Sequence, residues 1–178
     1  LAITHRKTSA TNETLAVESF SAESVSLLQL MTEGFSVVIE RDFEYLHWRY
    51  LQHPTQKYTV FEQRDSANGL NAVAATKVLE SSIQPGVYEV FILELGVVEQ
   101  YAALQDFIYD IVALYDKPVC TVNIWMSLWD KRHIMLEKIG FLPSGRTTYL
   151  GARVSKEIST VLSDQRNWFL SMGDSDVY

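Results

Sequence analysis

Between Tyr88 and Leu150 the chain reads as a strand, an amphipathic helix, a second strand, a short helix closed by an Ile-Gly-Phe step, and a last strand. Val87 to Val98 is apolar or aromatic at nearly every position, which suits a strand covered on both faces. Leu104, Phe107, Ile108, Ile111, Val112 and Tyr115 repeat at three and four, predicting a helix over 101–115 with one apolar stripe. Pro118 ends it, and Val119 to Met126 is again apolar. Strand, helix and strand in so short a span require a parallel crossover. Asp130 can cap a helix running through Lys138, with Gly140 as its C′ glycine, and Arg146 to Val154 returns as a strand.

Upstream, Ser21 can cap a helix carrying Val25, Leu27, Leu28 and Met31, and Asp42 can cap a second in which Phe43, Leu46, His47 and Tyr50 share a face. Pro54 stops that helix by restricting His53. Lys57 to Gln63 and Leu70 to Leu79 are β-rich runs joined through Asn68-Gly69, residues that tolerate positive φ, so they predict a hairpin. An antiparallel hairpin followed by a parallel crossover makes an α/β chain with a central mixed sheet flanked by helices. Trp168 to Leu170 reads as a short edge element.

With 178 residues, 47% of them apolar, one domain is expected, over residues 19–155. Residues 1–18, polar and without periodicity, are expected to be a linker, and 156–178 a tail docked through Trp168 and Phe169. The chain opens at Leu1 and is expected to be a piece of a longer protein. A net charge of −7 argues against nucleic acid as a partner. Cys120 has no intrachain disulfide partner and is expected buried as a small hydrophobe. No apolar run approaches the ~20 residues of a membrane span, and no signal-peptide pattern opens the chain, so a cytoplasmic protein is expected. His133 has no partner at metal-ligand spacing, and Asp174 and Asp176 read as solvated carboxylates at a flexible end, so no metal is expected.

Phe91-Ile-Leu-Glu-Leu-Gly-Val-Val98, the helix from Gln100 to Tyr115 and Leu136-Glu-Lys-Ile-Gly-Phe141 resemble the second half of an acyl-CoA N-acyltransferase domain of the GNAT superfamily. Arg41-Asp-Phe-Glu-Tyr-Leu-His-Trp-Arg-Tyr50, His53-Pro54 and the terminal 168–178 resemble the C-terminal half of tandem GNAT proteins of bacterial polysaccharide biosynthesis. The resemblance implies a GNAT-like fold, acetyl-CoA or another acyl-CoA as donor, and a small-molecule amine acceptor, sugar-linked in the subfamily. It also implies an N-terminal GNAT half as partner, whose absence would leave an apolar face able to promote a homodimer. In such domains the pantetheine arm bonds exposed backbone groups where the fourth and fifth strands splay, here Leu95, Gly96, Val97 and Val98. The pyrophosphate meets the following helix start, here Gln100, Tyr101, Ala102, Ala103 and Leu104, where unpaired amides favour an anion.

The sequence departs from this pattern in three places. The phosphate loop lacks the family's glycines and any basic residue, and Gln105 stands where a small residue would let the backbone approach the phosphates. Leu136 occupies the position of the family's general-acid tyrosine, and Trp129 that of a common asparagine.

Glu94, a carboxylate in an apolar strand, is the candidate catalytic base, since burial would raise its pKa; the alternative is a strand-end glutamate facing solvent or paired with an arginine. Asn123 on the next strand would orient substrate or water, or else satisfy backbone groups. Tyr45 and Arg49 would line an acceptor site. Alternatively Trp48 and Tyr50 anchor their helix to the sheet, and Arg49 pairs with Glu44 or Asp42. Two functions follow: an acyl-CoA-dependent N-acyltransferase, or a degenerate half serving as a structural or substrate-recognition module.

Overall fold

The computed structural model describes residues 12–98, 101–145 and 159–175. The expected strand over 146–154 lies outside them. Strands β1 (Asn12–Val17), β2 (Thr59–Asp65), β3 (Leu70–Glu80), β4 (Tyr88–Val97) and β5 (Val119–Ile124) form one sheet in sequence order. The first three junctions are antiparallel and β4–β5 is parallel, the mixed order read from the sequence.

Residues 12–17, expected within the linker, instead pair along β2 from Asn12↔Asp65 to Val17↔Val60. The apolar pattern hides this strand because it faces a polar patch. Thr14 is buried and donates to Asp110 (2.6 Å) while accepting from Gln63 (3.1 Å), and Leu15 is 51% exposed. In the β2–β3 hairpin, Asn68 alone of the turn pair has positive φ (66°), and Asp65 accepts from the amides of Ala67 and Gly69.

Helices α1 (Ala22–Met31) and α2 (Phe43–Leu46) begin on Ser21 and Asp42, whose side chains accept from the amides of Ser24 and Tyr45. Both pack on one face of the sheet with Leu93, Val73 and Ala75. α3 (Tyr101–Leu114) and α4 (Arg132–Lys138) cover the other, where Leu104, Phe107, Ile111 and Leu136 join Val90, Ile92, Leu95 and Val97 of β4. Gly140, at φ 103°, closes α4, as the Gly-Phe step predicts. Asp130 opens α4 as expected, its carboxylate accepting from the Arg132 amide (2.9 Å) and also holding the Arg132 guanidinium. Cys120, expected buried, is exposed on β5, with Sγ donating to the Tyr88 carbonyl.

A widened π turn, His47–Leu51, continues α2. Each π turn holds an additional residue, which shifts the phase of the faces. Arg49 and Tyr50, three and four residues beyond the buried Leu46, are buried with it, while Trp48, expected to anchor the helix to the sheet, is 62% exposed. α5 (Ser159–Ser163) leads into a terminal segment that crosses back over the α1–α2 face. There Trp168 bridges Val37 in parallel, and Phe169 and Met172 are buried.

Candidate functional site

β4 has two differently paired halves. From Tyr88 to Ile92 it is flanked by β3 and by β5, and the last β5 pair is Ile92↔Ile124. Beyond it, Glu94 to Val97 pairs only with β3 among the described residues. The register also skips Leu93, since Ala75 faces Glu94 and Thr76 faces Ile92. That bulge turns Leu93 and Glu94 toward the α1–α2 side, and β4 runs on past the last residue of β5, Ile124. Val98 donates to Asn71 of β3, so the alternation of an antiparallel ladder directs the backbone groups of Leu95 and Val97 to the β5 side. An opening of this kind is what the resemblance implied for the pantetheine arm.

Arg132 reaches into that opening from the start of α4. Its Nη1 donates to the Leu95 carbonyl, and its Nε and Nη2 are held by Asp130. Phe169 lies against the same guanidinium, 5.2 Å from ring centroid to Cζ. Neither Arg132 nor Phe169 stood out in the sequence as a site residue. A cation beside a splayed strand edge is visible only once β4 and α4 are brought together.

The expected backbone contacts divide. Leu95 and Val97 face the opening. Gly96 serves packing: a Cβ there would meet Val73 at 3.0 Å and Leu27 at 3.1 Å, so glycine lets α1 lie close across β4. Val98 is bonded to β3, and Leu104 is wholly buried in the α3 core. Gln100 lies outside the described residues, as do the side chains of Tyr101, Ala102 and Ala103. Gln105, expected to crowd the phosphates, donates along α3 to the Tyr109 hydroxyl (3.4 Å). Leu136 is core, and Trp129 is 57% exposed.

Glu94 lies in a closed polar cluster. Its Oε1 accepts from Tyr50 Oη (3.0 Å), Ser171 Oγ (2.9 Å) and Arg41 Nη2 (3.4 Å), and the residue is 2% exposed. Burial raises the Glu94 carboxyl above its ordinary value, against the pull of Arg41. The same burial raises the Tyr50 phenol and pushes Tyr45 up to about 12. Burial alone would lower Arg41, but Glu94 and Asp174 outweigh it and hold the guanidinium charged. Arg41 Nη2 contacts both Asp174 oxygens, at 2.6 and 2.7 Å. Asp174, expected as a solvated tail carboxylate, is thus an anchor.

Arg49 pairs with neither Glu44 nor Asp42. Its Nε and Nη2 donate to the carbonyls of Gly173 (3.0 Å) and Ser175 (2.6 Å). Tyr45 lies beside Arg41, at 6.0 Å from Cζ to ring centroid. Asn123 stands apart from Glu94, donating to Glu89 (3.4 Å) and Thr121 (3.2 Å). Glu94, Tyr45 and Arg49 are therefore gathered under the terminal segment, and Asn123 is not.

No family model and no curated protein matches the sequence. Solved structures do match. An aminoglycoside 6'-N-acetyltransferase of Acinetobacter baumannii superposes with a TM-score of 0.53 at 12% identity, over 81% of this chain and 99% of that one. A Trypanosoma brucei acetyltransferase gives 0.53 at 16% identity, over 79% and 99%. An integron cassette protein of V. cholerae gives 0.55 at 11% identity, over 88% and 100%. With the mixed five-stranded sheet and its flanking helices, these likenesses show that the chain has a GNAT-like acetyltransferase fold.

Proposed function

We propose that this chain is an acyl-CoA-dependent N-acyltransferase module that takes its thioester donor in the opening between β4 and β5. The observation that carries the reading is the loss of β5 pairing beyond Ile92, with the backbone groups of Leu95 and Val97 turned into the gap. Those groups fit an extended amide-bearing arm such as pantetheine, provided Arg132 gives up the Leu95 carbonyl. Bound acyl-CoA would supply the activated acyl group. The chain would hold the arm along the β4 edge and receive the phosphates near the start of α3, working mainly by positioning. Glu94 is closed in by Tyr50, Ser171 and the backbone of Gly173, so as a base it would act only after that segment lifts. Tyr45 and Arg49 would meet an acceptor amine under the same condition.

The second reading, a closed half supporting another domain, is favoured by Arg132 on the Leu95 carbonyl and by Leu136 in the core. An N-terminal GNAT half, a sugar-linked acceptor, a homodimer and a bacterial setting rest on the sequence resemblance. Among the described residues no helix is long and apolar enough to cross a membrane. Calorimetric titration with acetyl-CoA decides between the readings. Micromolar binding, followed by acetyl transfer to an amine panel, supports the first; absence of heat with both this chain and Arg132→Ala supports the second.

A further inference from the structure

The terminal segment Trp168–Ser175 is tied down at several points on the α1–α2 face. Phe169 donates its amide to Val37, Arg49 holds two carbonyls, Arg41 holds Asp174, and Ser171 bonds Glu94. At Gly173 the backbone passes so close to the Tyr50–Glu94 pair that a Cβ would fall 1.9 Å from Tyr50 Oη. One ring then joins this clamp to the donor opening. Phe169 lies 4.8 Å from the Cζ of Arg41, inside the clamp, and 5.2 Å from the Cζ of Arg132, inside the opening. A guanidinium against an aromatic face in a desolvated site is attracted to it, so the docked ring favours the Arg132 position that covers Leu95.

We propose that Trp168–Ser175 is a strap that holds the β4–β5 opening closed through Phe169 and Arg132, coupling release of the tail to donor access. This rests on the donor reading above for its ligand, although not for the mechanical link. Docked, the strap covers Glu94 and supports Arg132 on the Leu95 carbonyl. Lifted, it would uncover Glu94 and the β5-side edge of β4 together.

The test compares the unmodified protein with Arg132→Ala, Phe169→Ala and the milder Phe169→Leu, which retains apolar bulk if the alanine variant does not fold. Acetyl-CoA affinity should rise on the order of ten-fold in Arg132→Ala and about three-fold in Phe169→Leu, magnitudes typical of losing a desolvated cation–ring contact or its support. The second readout needs no ligand. Amide hydrogen exchange at Leu95 and Val97 should speed up in Phe169→Leu while the amides of α3 keep their protection. Unchanged exchange at Leu95 and Val97 would overturn the strap. Faster exchange without acetyl-CoA binding by any variant would support the strap and remove the donor reading alone.

Discussion

On the α3 side of β4, Val90, Ile92, Leu95 and Val97 pack among Leu104, Phe107 and Ile111, whereas on the opposite side Glu94 meets Tyr50, Ser171 and Arg41. The first face is closed by hydrocarbon, whose burial is non-directional and tolerant of exchange. The second is closed by ionic and hydrogen-bonded partners, each of which needs the others in place. One strand therefore carries a scaffold on one side and a latch on the other.

The contrast is broken most directly by removing one partner from each face. Arg41→Met leaves Glu94 and Asp174 without their shared cation and should cost about 3–5 kcal/mol in urea unfolding, the usual result of orphaning a buried charge. Adding Glu94→Gln and Asp174→Asn should recover a large part of that loss. Phe107→Ala on the other face should cost a similar ~3–5 kcal/mol, and those two substitutions should recover none of it. Equal recovery in both backgrounds would mean that the faces are not built differently.

Gly173→Ala should be next, at about 1–3 kcal/mol, because the new methyl meets Tyr50 and Glu94 and the segment must shift. Its marker is faster proteolysis after residue 165 with the α3 amides still protected. Loss of protection throughout the domain would contradict a separable latch.

Within the polar side, two buried carboxylates titrate in opposite senses. Glu94 has a native pKa above its ordinary 4.5, so its contribution to stability is full below 4.5 and is lost as pH rises through the native value. Glu62 is the opposite case. Burial would raise it, but hydrogen bonds from Ser24, Arg64 and Ser21 outweigh this and lower it, so its contribution is present above 4.5 and lost as pH falls. Glu94→Gln should flatten the decline above 4.5 and Glu62→Gln the decline below it, read from urea midpoints against pH. A steeper decline above 4.5 in Glu94→Gln would contradict the cause assigned to its shift. The smallest effect expected is about 1 kcal/mol for Asp42→Ala, which loses only the cap of α2.

What the sequence makes legible follows the same division. The crossover β4–α3–β5, the β2–β3 hairpin and the Gly140 stop could be read because periodicity and turn chemistry are local signals. The latch could not. Arg41 and Asp174 lie 133 residues apart, and a carboxylate near a chain end reads as solvated until a buried guanidinium is seen to face it. Tyr50 reads as facing inward with Leu46 and does so, whereas Trp48, which reads as its companion anchor, is exposed and Arg49 is buried instead. β1 was hidden by its inverted pattern, Thr14 inside and Leu15 outside. At the site, Leu95 to Val98 were singled out through the family resemblance, but that Arg132 lies on the Leu95 carbonyl depends on how α4 meets β4.

Whether the bulged half of β4 is a donor opening that Arg132 covers can be read from backbone NMR during titration with acetyl-CoA. The amides of Leu95 and Val97 should shift first and together with the Arg132 Nε–H, as the guanidinium leaves the Leu95 carbonyl. Shifts confined to other elements, with Leu95, Val97 and Arg132 unmoved at saturation, would contradict it.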